Sequence, residues 1–90
     1  MNKSELIEAV ASKSELSKAD SARAIDGVIS AITDALQADD QVSIVGFGSF
    51  LVRQRDARKG RNPKTGEQID IKASKLPSFK AGKALKDLLN

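Results

Sequence analysis

Six cations fall within residues 53–64: Arg53, Arg55, Arg58, Lys59, Arg61 and Lys64, with Pro63 among them and Lys72 and Lys75 beyond. Guanidinium and ammonium groups at that density do one kind of chemistry well, the neutralisation of a row of fixed phosphates, and arginine adds a planar fork for bidentate contact. Proline contributes a rigid apolar edge with a fixed φ. Covalent or acid–base catalysis has little to work with, because the chain holds no His and no Cys. Thiol nucleophiles, imidazole bases, disulfides and the usual zinc sites are thereby excluded. No glycine-rich loop precedes a helix to cradle a phosphate, and Asp39-Asp40 at a helix end reads as a solvated pair rather than a metal site. The chain is expected to be no enzyme and to need no cofactor, metal or small-molecule substrate.

Charge is divided between the halves. Residues 1–45 carry four basic and eight acidic side chains, net −4, and residues 46–90 carry eleven basic and four acidic, net +7. A formal total of +3 thus conceals a polar molecule whose second half alone suits a polyanion. The apolar fraction is thin: 12 of the residues are Ala and only three, Phe47, Phe50 and Phe79, are aromatic. A monomer of this size would bury little, so a dimer that completes a shared core is expected, with Ile29, Ile32, Leu36, Ile44 and the three Phe residues in it. No run reaches the roughly 18 apolar residues of a membrane span, and the opening residues do not read as a signal peptide. A soluble, cytoplasmic chain is expected.

Two helices must come first. Asn2 with Glu5 three residues on is a capping box, and Leu6, Ile7, Val10 and Ala11 follow on one face. Ser14 to Ser17 breaks the pattern, and Ser17 with Asp20 restarts it. Ile25, Val28, Ile29, Ile32 and Leu36 then mark one face of a helix of about 20 residues, roughly 30 Å long. A hairpin of two helices can be read as a DNA-reading helix-turn-helix. The second helix, however, sets only Lys18 and Arg23 against Asp20, Asp26 and Asp34, so an apolar hairpin for dimer packing is the better reading. After Asp39-Asp40, Val42 and Ile44 alternate with polar residues, and Gly46-Phe47-Gly48 turns tightly into Phe50 and Val52. Pro77 argues for an edge strand or a bulge. Past Gly82, a short helix is expected to turn Leu85, Leu88 and Leu89 inward. Lys80, Lys83 and Lys86, three residues apart, form a second cationic patch.

Residues 53–75 contain only four apolar side chains, Ala57, Ile69, Ile71 and Ala73, too few for a core. Asn62-Pro63-Lys64-Thr65-Gly66 is a turn, with Pro setting the bend and Gly the left-handed position. The segment therefore reads as a long two-stranded arm. Pairing symmetric about Lys64 would set Arg53 opposite Lys75 and Ala57 opposite Ile71. One face would then carry Arg53, Arg55, Lys59 and Arg61 with Ile69 and Ile71. Asp56 and Asp70 would lie on the other face beside Arg58 and Lys72. A cationic ribbon tipped by proline suits the minor groove, where arginine meets a strong negative potential and an apolar wedge can kink the duplex. Asn62 and Gln54 are the arm's evident amide readers.

The chain resembles the bacterial histone-like DNA-binding proteins of the HU type, relatives of integration host factor, almost end to end. Gly46-Phe47, Phe50, Arg55, Arg58, Gly60 and Asn62-Pro63-Lys64-Thr65 carry the likeness. The opening Met1-Asn2-Lys3-Ser4-Glu5-Leu6 and the run from Pro77 to Asp87 support it. The resemblance implies an α+β fold: an N-terminal helical hairpin under a three-stranded antiparallel sheet, a protruding β-ribbon arm and a short C-terminal helix, in an intertwined dimer. It implies one domain over residues 1–90, with 1–45 serving dimerisation and 46–90 holding the sheet, the arm and the last helix. It also implies a nucleoid protein whose Pro63 intercalates. Arg53, Arg55, Arg58, Lys59, Arg61, Asn62 and Lys64 would contact double-stranded DNA, with Lys72 and Lys75 in the same arm. Positions Lys3, Lys80, Lys83 and Lys86 would meet the flanks or steady the body. Such proteins bind with little sequence preference and favour nicked, gapped or bent DNA. A sequence-preferring subunit like integration host factor, and a basic-armed scaffold for acidic proteins, are the rival readings. Homodimer or heterodimer, and binding of RNA besides DNA, stay open at this point.

Overall fold

The computed structural model describes residues 1–90 and divides into two compact units, Met1–Asp34 and Ala35–Asn90. The elements in chain order are α1 (Lys3–Ser14), α2 (Lys18–Gln37), β1 (Val42–Ile44), β2 (Gly48–Arg55), β3 (Arg58–Arg61), β4 (Gln68–Ile71), β5 (Ser74–Ala81) and α3 (Lys83–Leu89). No helix is long and apolar enough to cross a membrane.

In the first unit the caps form as their residue types require. The Asn2 side chain accepts the Glu5 N–H at 2.9 Å and the Glu5 carboxylate accepts the Asn2 N–H at 3.3 Å. Glu15, at φ 62°, ends α1 in the left-handed region. Ser17 Oγ then accepts the Asp20 N–H at 3.0 Å to open α2, whose 20 residues match the expected length. The hairpin is tied by Lys3–Asp26 at 2.7 Å and Lys18–Glu8 at 3.5 Å, both well exposed. Pairs so exposed contribute at most about 1 kcal/mol each.

The second unit is built on antiparallel pairing. The sheet order is β1-β2-β5, so β5, which contains Pro77, is an edge strand, where a missing N–H is tolerated. The turn from β1 to β2 is closed by Phe47 N–H to the Ile44 carbonyl at 3.0 Å, with Gly46 at φ 80°. β3 and β4 make a separate two-stranded ribbon. Cross-strand partners share a face, so Val42, Ile44, Phe50, Val52, Pro77 and Phe79 form one apolar side of the sheet. Phe79 lies 4.9 Å from Phe50 and 5.3 Å from Phe47, ring centre to ring centre, in tilted geometry. The opposite side carries Ser43, Ser49, Leu51, Arg53, Arg55, Ser74, Leu76, Ser78 and Lys80.

Little of this is buried. Ile25 is the one buried large hydrophobic residue, while Ile29, Ile44, Phe47 and Phe79 stay 42–51% exposed. Ile32, Leu36 and Phe50 are half-buried. Leu85 is half-buried as well, but Leu88 and Leu89 are 81% and 80% exposed, contrary to the inward orientation expected of them. At i, i+3 and i+4 the three leucines share one face of α3, but the chain's own residues cover that face only at Leu85.

Two substitutions should move stability in opposite directions. Ser21 is fully buried and its hydroxyl has no hydrogen-bond partner, so Ser21→Ala is expected to raise unfolding free energy by about 1 kcal/mol. A Cβ on Gly48 would come 2.6 Å from the Lys80 carbonyl oxygen and 2.6 Å from the Phe79 ring. Gly48→Ala should therefore cost roughly 1–3 kcal/mol. Denaturant unfolding at matched protein concentration checks both.

Candidate nucleic-acid interface

The arm is shaped by its tip. Pro63 to Gly66 make a four-residue loop between Asn62 and Glu67, closed by the Asn62 N–H to the Glu67 carbonyl at 2.8 Å. The Gly66 N–H returns to the Asn62 carbonyl at 2.8 Å, with Gly66 at φ 73°. Lys64 N–H donates to Asn62 Oδ1 at 2.9 Å, an Asx turn that explains why Asn precedes the proline. Pro63 and Lys64 are exposed at the apex.

That loop sets a different register from pairing about Lys64. Arg58 faces Ile71, Lys59 faces Asp70, Gly60 faces Ile69 and Arg61 faces Gln68. The same register runs down β2 and β5, where Arg53 faces Leu76, Gln54 faces Lys75 and Arg55 faces Ser74. The ladder is displaced by one residue, because Gly66 belongs inside the loop and an even-numbered loop centres the hairpin between two residues. A one-residue slip exchanges the faces of one strand against the other.

The corrected faces differ from the expected ones. Arg58 shares a side with Gly60, Ile69 and Ile71, whereas Lys59 and Arg61 share theirs with Asp70 and Gln68. The arm is thus basic on both sides, and Asp70 stands among cations that were expected to be separated from it. Asp56 lies in a gap, Asp56-Ala57, that with Lys72-Ala73 interrupts the ribbon between β2/β5 and β3/β4. The long two-stranded arm is therefore two ladders in one register. Lys75 is not beside Arg53. It opposes Gln54 on the apolar side of the sheet, and its ammonium sits on both Asp39 carboxylate oxygens at 2.8 and 3.0 Å.

Arg53, Arg55 and Lys80 come together on the polar side of the sheet. Lys80 is a strand residue, whereas Lys83 and Lys86 lie on α3. Lys3 and Lys83 have carboxylate partners, Asp26 at 2.7 Å and Asp87 at 3.2 Å. Arg53, Arg55, Arg58, Lys59, Arg61, Lys64, Lys72, Lys80 and Lys86 form no salt bridge. None of these cations is held in an ion pair, so each can meet an external polyanion, with Asp70 opposite Lys59 as the one carboxylate in the β3–β4 ladder. Sequence reasoning missed the hydroxyls of Ser43, Ser49 and Ser78 on the same side as Arg53, of which Ser43 and Ser49 bond each other at 3.0 Å. It also missed Gln68 on the arm. Only the cross-strand register reveals these groupings.

A small α+β chain with a two-stranded basic arm and unpaired cations has the make-up of a nucleic-acid-binding protein. Residues 1–90 match the family described as bacterial DNA-binding protein, and the chain belongs to that family. Among its relatives is the DNA-binding protein HU 1 of Bacillus subtilis, 62% identical over 87 residues, covering 97% of this chain and 95% of that one. The DNA-binding protein HU-beta of Serratia marcescens is 58% identical over 90 residues, the whole of both chains. Among solved structures, a cocrystal of Anabaena HU with DNA superposes with a TM-score of 0.89 at 43% identity, covering 99% of this chain and 97% of that one. HU from Thermotoga maritima gives 0.70 at 36% identity, with both chains fully covered. The chain is accordingly an HU-family DNA-binding protein and not an enzyme.

Asp70 offers a direct test of the corrected faces. Asp70→Asn should tighten binding to duplex DNA by about two- to fivefold at low salt, the gain fading as salt screens the carboxylate. Fluorescence anisotropy across a salt series checks this. An unchanged affinity would mean that Asp70 lies away from the phosphates.

Proposed function

We propose that the protein is an architectural DNA-binding protein: a dimer whose arms enter the minor groove and bend the duplex, with little regard to sequence. The observation that carries this reading is the arm itself, a ribbon with unpaired cations on both sides and an exposed proline at its apex. A groove is walled by phosphates on two sides, so a ribbon basic on one side only would leave one wall unanswered. Arg58 with Lys59, Arg61, Lys64 and Lys72 would neutralise the walls, and Pro63 would wedge between base pairs and kink the helix. Arg53, Arg55 and Lys80 would receive the backbone over the sheet, with Lys86, Lys83 and Lys3 at the outer flanks.

Weak sequence preference follows from the state of the arm's amides. Asn62 Oδ1 is occupied by the Lys64 N–H at 2.9 Å, and Gln54 lies on the apolar side of the sheet beside Lys75. Neither Gln54 nor Gln68 forms a side-chain hydrogen bond within the chain, but Gln54 faces the apolar side, which leaves Gln68 as the one amide beside Lys59 and Arg61, too little to read a site in the way a base-specific protein does. Discrimination then comes from deformability: nicked, gapped or bent DNA has less stacking left to break and binds more tightly. A place in the nucleoid is the natural setting for such a protein.

Dimerisation is supported by the apolar surface the chain leaves open. Leu6, Ala24, Ile25, Val28 and Ile29 line an apolar groove on the helical unit, and Val28 and Ile29 are 56% and 51% exposed. Ile32, Leu36, Ile44, Phe47, Phe50 and Phe79 would complete the shared core. Sedimentation should give twice the chain mass of 9.6 kDa, and a monomer at micromolar concentration would refute the proposal.

Binding should fall by roughly 10³ to 10⁵ between 50 and 200 mM salt if 6–10 phosphates are contacted. A nicked duplex should bind more tightly than the intact duplex of the same sequence, and equal affinity would reduce the arm to a polycation. Pro63→Ala should shrink the DNA bend seen by fluorescence transfer while leaving the salt slope in place. Replacing Arg55, Arg58 and Arg61 together should weaken binding to all sequences alike, and a loss confined to one sequence would contradict that.

A further inference from the structure

Asp39 combines two features that belong together. Its φ of 57° is left-handed, just past the end of α2, where its N–H bonds the Leu36 carbonyl at 3.1 Å and the Asp40 N–H bonds the Ala35 carbonyl at 2.8 Å. Glycine takes such a helix-ending position without strain. What aspartate adds is a carboxylate, and both of its oxygens are on Lys75 Nζ, at 2.8 and 3.0 Å. Lys75 is the second residue of β5, directly after the gap at Lys72-Ala73 where the ribbon is interrupted. Among the five salt bridges this one alone ties the α2–β1 connection to the strand that leaves the arm.

We propose that Asp39 is a positioning residue for the DNA-binding arm: through Lys75 it clamps the first residues of β5 and so fixes the arm's root. Lys75 then serves as a clamp partner, on the side of the sheet opposite Arg53 and Arg55, and not as a phosphate contact. Both side chains are 53% exposed, so the pair adds little to global stability. Its effect falls on the root, where each interrupted strand has lost its ladder bonds and a single cross-tie restrains much of the remaining motion. An arm held near its binding direction loses less freedom when DNA orders it. The proposal rests on the arm-binding reading above, and the experiment separates the two.

Asp39→Asn and Asp40→Asn make the same charge change at adjacent positions, but Asp40 forms no salt bridge. Asparagine tolerates the left-handed backbone, so the helix ending survives in both variants. Charge alone would strengthen binding equally. The clamp predicts that Asp39→Asn binds duplex DNA about two- to fivefold more weakly than Asp40→Asn at low salt, and that the difference disappears in a Lys75→Gln background. Amide exchange of Arg55 and Ser74 should be faster in Asp39→Asn than in Asp40→Asn. Equal affinities, or a difference that persists without Lys75, would overturn the proposal. Should none of these proteins bind duplex DNA, the arm reading falls, and the exchange comparison alone decides the clamp: equal rates overturn it.

Discussion

One hydrogen-bonded register runs from Gly48–Ala81 at the sheet to Arg61–Gln68 near the arm tip, and every grouping of charge depends on it. The pleat gives each strand two sides, so the register decides which cations act together and which carboxylates interfere. The loop at Asn62–Glu67 sets it, through two backbone hydrogen bonds of 2.8 Å and a left-handed Gly66. A loop one residue longer or shorter would set Arg58 and Lys59 against new partners without altering composition or charge. Affinity for a polyanion would survive such a change, but the shape offered to a groove would not.

The same pairing divides the sheet chemically. One side gathers Val42, Ile44, Phe50, Val52 and Phe79, and the other gathers Arg53, Arg55, Lys80 and small hydroxyls. An apolar side must be covered by something, while a side of serines and cations lets a polyanionic backbone approach closely. Most of the cations on the sheet and arm have no internal partner. Where partners exist, as at Lys3, Lys75 and Lys83, lysine is tied into the protein and binding would have to break an exposed pair first. Cation count therefore overstates the charge that DNA meets.

Marginal burial runs through the whole chain. With Ile25 as its one buried large hydrophobic residue, the chain taken alone lacks the apolar burial that offsets conformational entropy in a domain of this size. The proposed dimer would answer that deficit with a shared core and would also supply a second arm, coupling stability and grip on DNA to the same association. The unpartnered Ser21 hydroxyl is a cost retained within that small reserve.

Much was legible in the sequence because the signals were local. Capping residues at Asn2 and Ser17, the apolar spacing of α2, the edge-strand proline and the Asn62–Gly66 turn each act over a few residues, and each element formed where its residues placed it. The imbalance of charge between the halves and the cations crowded into residues 53–64 likewise pointed to a polyanion partner without coordinates. What only the tertiary structure decided is non-local: the hairpin register, the companionship of Asp70 with Lys59 and Arg61, the grouping of Lys80 with Arg53 and Arg55, and the capture of Lys75 by Asp39. These depend on a one-residue choice at a loop and on contacts between segments far apart in the chain. Spacing within a strand is blind to both, because a period of two is satisfied equally well by either register.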